Sequence, residues 1–204
     1  MVKNNQNPWL TIWRYPEKTI SRLVSARQYK HQNLLTALIG VSFTLSVSMY
    51  LDDIDFLNKS IYLPFVTPII VGLVGSVLYI HLGGALLTRI SKMFKGSSKP
   101  EQVKLAIAWS SVPIIISILF WPLMPIIIFQ LIGVISDISI MIGLAISMVF
   151  VVINRILHIY SFVILARMMS SINHFSKWKG LISTSIGISV LSFVPFIIYL
   201  LCTR

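Results

Sequence analysis

The run ISIMIGLAISMVFVVINRILHIYSFVILARM, residues 138–168, decides the fold. Its only charges are Arg155 and Arg167. An α-helix of 31 residues reaches ~46 Å at ~1.5 Å per residue, against a hydrocarbon core of ~30 Å. Strong tilt, or an outer piece lying in the interface, has to absorb the excess. Spans of this kind cross as helices, because unpaired backbone groups cannot be left in lipid.

Four further apolar runs flank it, at about 33–51, 63–88, 103–122 and 181–201. Of the 204 residues, 56% are hydrophobic and 11% charged, where soluble proteins carry roughly a quarter charged. Such a chain cannot cover its own apolar surface with polar groups. The expected fold class is all-α, a polytopic membrane bundle of about five transmembrane helices. Two segments are expected: an interfacial N-terminal piece, 1–32, and a membrane domain, 33–204. The first 32 residues are polar and basic, with no cleavable signal peptide, so the first span acts as its own insertion signal. The single cysteine, Cys202, excludes an internal disulfide and a cysteine-based metal cluster.

The bases orient the chain. Lys3, Arg14, Lys18, Arg22, Arg27 and Lys30 precede the first span. Arg89, Lys92, Lys95, Lys99 and Lys104 lie between the second and third, and Arg167, Lys177 and Lys179 between the fourth and fifth. The other connections carry Asp52, Asp53, Asp55 and Asp137, with Lys59 as their base. Lys and Arg are retained on the cytoplasmic side, which predicts the N-terminus inside and the C-terminus outside. Tyr50, Tyr62, Trp121 and Tyr199 then fall at the outer interface, and Trp109 and Trp178 at the inner one. The net charge of +11 reads as topogenic charge facing anionic lipid headgroups, not as a nucleic-acid surface.

Before the first span, Trp9, Ile12, Trp13, Ile20, Leu23 and Val24 recur at three- and four-residue steps, broken by Pro16. Arg14, Lys18, Arg22 and Arg27 take other faces. Two short amphipathic pieces in the headgroup region fit this pattern, with Trp9, Ile12, Trp13, Arg14, Pro16 and Lys18 as an interfacial anchor or a docking surface.

Asn7-Pro8-Trp9, Ile12-Trp13-Arg14, Pro16 and Thr19-Ile20 together resemble the opening signature of the Yip domain family of multispan membrane proteins, named for interaction with Ypt/Rab GTPases. Leu82-Gly83-Gly84, the loop with Lys95-Gly96-Ser97, and the stretch Glu101 to Pro113 resemble that family's central region. Asn173-His174-Phe175-Ser176-Lys177-Trp178-Lys179-Gly180 resembles the segment before its last span, with Gly180 where Ala is commoner. The resemblance covers nearly the whole chain and implies an integral protein of the plasma membrane, with neither catalysis nor cofactor. Eukaryotic members are linked to vesicle trafficking and small-GTPase binding through a longer cytoplasmic N-terminal region. With 32 residues there, this chain resembles the compact bacterial members, which argues against a GTPase partner. The implied partners are the lipid bilayer and another membrane protein or complex, met at the cytoplasmic Lys95, Gly96, Lys177, Trp178 and Lys179.

Asn154, Arg155 and His158 share one arc of the fourth span. Arg155 lies twelve residues, or ~18 Å along a helix, from Arg167, close to mid-membrane. An arginine at that depth costs ~2.5–3.5 kcal/mol on insertion scales and should face the bundle or water. The group reads either as interhelical hydrogen bonding or as the polar site of a small transporter or channel. No acid lies at its depth. The chain has no His-Glu-x-x-His, no paired intramembrane Asp and no Gly-x-Ser-x-Gly, and Lys95–Lys99 lacks P-loop spacing. His31, His81 and His174 are scattered, and no metal site is expected. Gly72-x-x-Gly75 and Gly83-Gly84 read as close helix packing.

Overall fold

The computed structural model describes residues 7–29, 31–48, 63–117 and 137–202. It is all-helical over these residues. Two short helices open the chain, α1 (Pro8–Arg14) and α2 (Pro16–Ser25). Then follow α3 (Gln32–Ser48), α4 (Leu63–Met93), α5 (Pro100–Ser110), α6 (Val112–Ser117), α7 (Asp137–Ile172) and α8 (Lys177–Cys202). The expected outer connections, with Tyr50, Asp52, Asp53, Asp55, Lys59, Tyr62 and Trp121, lie outside the described residues, as do Lys3, Lys30 and Arg204.

Local chemistry sets the helix starts. Asn7 caps α1 by accepting the Trp9 N–H on Oδ1 at 3.1 Å. Pro8, Pro16 and Pro100 each occupy a first helical turn, where the missing N–H leaves no bond unmade. Pro16 thus both ends α1 and begins α2, the break the sequence predicts. Gln102 Oε1 accepts the Lys99 N–H at 2.8 Å and steadies the start of α5.

The third expected span, 103–122, is not one straight helix. It turns at Ser111 between α5 and α6. Pro113 cannot donate to the carbonyl four residues back, that of Trp109, and its ring crowds that turn. Ser110 and Ser111 both donate their hydroxyls to the Ile107 carbonyl at 2.9 Å. From α7, Ser161 Oγ donates to the Ser110 carbonyl at 2.6 Å, so a neighbouring helix clasps the bend.

α2, α4 and α7 end in the same way. Gln28, Gly96 and Phe175 donate their N–H to the carbonyls of Leu23, Ser91 and Ser170, each a six-residue closure. The residue just before each donor is left-handed: Arg27 at φ 50°, Lys95 at φ 66° and His174 at φ 55°. Glycine is the usual occupant of this position. Here all three are basic side chains.

α5 is the centre of the packing. Val103, Leu105, Ala106, Ile107, Ala108 and Trp109 are all buried, among Leu35 of α3, Leu87 of α4 and Ile164, Met168 and Met169 of α7. α3 lies along α4, and α8 lies against α4 and α7. Gly40 sits so close to α4 that a methyl group there would overlap the Gly72 carbonyl. Gly75 faces open space, so of the Gly72-x-x-Gly75 pair only the first meets a helix.

Among the described residues two segments, Ile69–Met93 of α4 and Met148–Ile172 of α7, are long and apolar enough to cross a membrane, each with mean hydropathy 2.0. Only 28% and 17% of their most apolar stretches are buried within the chain. The core helix of a soluble protein would be mostly buried. These helices instead hold Val, Ile and Leu outward, which is stable only in an apolar surround.

Candidate functional site

Hydrogen bonds and packing gather the polar connections at one end of the molecule. α2 crosses the end of α7. There Glu17 pairs with Arg167 at 3.0 Å, and Ser171 Oγ donates to the Glu17 carbonyl at 3.2 Å. Ser21 and Ser171 exchange a hydroxyl hydrogen bond at 2.9 Å, and Tyr160 Oη donates to the Trp13 carbonyl. Thr19 Oγ1 donates to Thr11 Oγ1 at 2.9 Å, joining α1 to α2.

The apolar side of α1 and α2 turns inward. Ile12, Ile20 and Leu23 are fully buried, and Trp9, Trp13 and Val24 pack against the same core. Trp9 lies 5.2 Å from Trp109 between ring centroids, and Trp13 stacks on Tyr160 at 5.7 Å. Trp109 is therefore a core residue fully shielded from the surroundings, not an interfacial one. The amphipathic face read from residues 9–24 is real, but the bundle occupies it. Pro16 is buried with it, while Arg14 and Lys18 on the other face are exposed and lie 6.0 and 5.4 Å from the Tyr15 ring.

Asn173 joins the next two connections. Its Oδ1 accepts the Ser98 N–H at 3.1 Å. Its Nδ2 donates to the Met169 carbonyl at 3.0 Å and to Ser91 Oγ at 3.4 Å. Gly96 lies against this amide and the Phe175 ring, where any side chain would overlap both. Gly180 has the same reason to depart from alanine: a methyl there would meet the Ala166 carbonyl at 2.6 Å.

Around this core the bases point outward. Arg14, Lys18, Arg27, Arg89, Lys92, Lys95, Lys99, Lys177 and Lys179 are exposed. Trp178, Leu10 and Met93 stand exposed at the same end. A shallow open hollow of about 550 Å³ lies between α2 and the start of α8, lined by Glu17, Ser170, Ser171, His174, Phe175, Ser176 and Lys177. The end therefore offers cations, hydroxyls and a few apolar tips to whatever lies against it. Among the described residues, no three His, Cys, Asp or Glu side chains gather to hold a metal.

The second candidate group is dispersed around α7. Asn154 is half-buried with its Oδ1 unpartnered, whereas Arg155 and His158 are exposed on the outer side of the helix. His158 Nδ1 lies 2.8 Å from the Asn154 carbonyl. Arg155 was expected to face the bundle or water; it stands on the apolar outer face.

Sequence reasoning did not find Glu17, Tyr160 or Ser98 as ties between segments. A lone acid among bases, opposite Arg167 some 150 residues away, was the available signal for the first. The Yip1 domain model matches residues 10–200, nearly the whole chain. No curated protein and no solved structure matches.

Proposed function

The chain belongs to the Yip1 domain family, and from that premise we propose a non-catalytic, multi-pass protein of the bacterial plasma membrane. It organises membrane, or assists a membrane complex, through a basic cytoplasmic face. Its five spans are 33–51, 63–88, 103–122, 138–168 and 181–201, with the N-terminus inside and the C-terminus outside.

The observation that carries this reading is the meeting of three basic blocks, far apart in sequence, around Glu17–Arg167 and Asn173. Bases near a membrane surface gain about 1 kcal/mol each from anionic headgroups, within a Debye length of ~8–10 Å. Exposed Trp178 suits the headgroup layer beside them. The partners are anionic lipid and a second membrane protein, with no role for nucleic acid. The transporter alternative draws no support from Arg155 and His158, because both stand on the outside of α7.

Photocrosslinkers at Lys18, Lys95 and Lys177 in native-host cells should trap a common lipid or protein set that one at Val74 does not. The set should shrink when the neighbouring Lys92, Lys99 and Lys179 are replaced by Gln. The same adducts from all four positions would defeat the assignment to this face. For the topology, cysteines at Asp53 and Ser97 in a Cys202→Ser background should differ in intact cells. An impermeant reagent should label the first and spare the second, and equal labelling would sink the five-span arrangement.

A further inference from the structure

α7 carries an unanswered charge. Met148, Val152, Arg155 and Ile159, spaced by four, three and four residues, form one exposed stripe, with His158 beside it. The stripe lies within Met148–Ile172, a segment long and apolar enough to cross a membrane. Arg155 is twelve residues, ~18 Å along the helix, from Arg167, which Glu17 holds at the loop end. In the other direction Asp137, at the start of α7, is eighteen residues or ~27 Å away.

We infer that this face of α7 docks a membrane-spanning helix of another protein, one carrying an Asp or Glu at mid-bilayer depth opposite Arg155. The inference rests on α7 spanning the membrane as read above. A charge held in hydrocarbon has to be paired, and none of the described hydrogen bonds or ion pairs reaches the Arg155 guanidinium. Among the described residues no acid is at hand. Glu17 is taken by Arg167, Glu101 opens α5 at the loop end, and Asp137 is at the far tip of α7. Asp52, Asp53 and Asp55 lie outside the described residues.

Two other occupants fit less well. A second copy would bring another Arg155 to the seam, like charge against like. A lipid phosphate lies at the headgroup level, and snorkelling by one side-chain length does not cover ~18 Å of helix. A carboxylate on a facing helix satisfies the guanidinium at its own depth with two parallel hydrogen bonds. The flanking Val152 and Ile159 then pack against that helix.

The test uses the full chain in neutral phosphatidylcholine vesicles with a synthetic Leu/Ala helix bearing one central Asp, read by energy transfer. The wild type should bind this probe about tenfold better than the same helix with a central Leu. That preference should disappear in Arg155→Leu. Moving the Asp two turns along the probe, which leaves the protein untouched, should also abolish it. Equal binding of the Asp and Leu probes, or a preference that survives Arg155→Leu, overturns the proposal. So does binding that needs added phosphatidylglycerol, which assigns Arg155 to lipid, or wild-type self-association that Arg155→Leu removes. A spin label at Ile159 checks the premise separately. Access to oxygen over a water-soluble nickel complex places the face in hydrocarbon. The reverse removes the membrane-spanning reading and the proposal with it.

Discussion

The loop end and the shafts of α4 and α7 are built from similar residues and held together differently. At the loop end a closed core lies beneath the exposed bases, and Thr19, Ser91, Ser98, Ser110 and Asn173 are buried with Ile, Leu, Met and Trp. Farther along the same helices, Ile70, Val71, Val74 and Leu78 of α4 and Val149, Val152 and Ile156 of α7 face outward. The end is organised like the interior of a water-soluble protein, with directional polar ties. The shafts rely on close backbone approach, as at Gly40, where lipid is as good a neighbour for a leucine as another helix is. Stability should therefore be concentrated at one end.

Trp109→Ala offers the largest test. The ring is fully buried between Trp9 and His31, so its loss should cost about 3–5 kcal/mol in reversible unfolding in mixed micelles. Val74→Ala on the shaft should stay within about 0.5 kcal/mol. Similar losses at the two sites would break the contrast. Gly40→Ala is the next largest: it forces α3 from α4 and should cost about 1–3 kcal/mol in the same assay. Gly75→Ala, in open space, should instead gain about 0.5–1 kcal/mol. The smallest effect belongs to the seam of α2 and α7. Glu17→Gln should cost about 0.2–1 kcal/mol, because the pair is 39% and 31% exposed, and the difference should shrink as salt is raised.

Much of the architecture could be read from residue types alone. The break at Pro16 is where the sequence puts it, and α4 and α7 begin within a residue of the predicted apolar runs. Periodicity located the apolar face of residues 9–24 but could not say what covers it, since lipid and protein reward the same pattern. Hence the apolar side of the expected headgroup anchor or docking surface proves to be packed in the core, while Arg14 and Lys18 stay exposed. The turn at Ser111 was hidden because proline is tolerated in membrane helices when neighbours meet the freed backbone, and the neighbour, Ser161, comes from α7. The outward setting of Arg155 was missed for a related reason: spacing places it on an arc of the helix, and only tertiary packing decides which way that arc turns.

The left-handed residues that close α2, α4 and α7 tie two kinds of information to single positions. Arg27, Lys95 and His174 reverse the chain at some backbone strain, and each carries a cationic or protonatable side chain at the carbonyl-rich end of its helix. Glycine at Lys95 would relax the turn and delete a charge from the connection in one step. Mutational drift there faces a trade-off: what makes the turn easier to form also removes a base from the face proposed to lie in the cytoplasm.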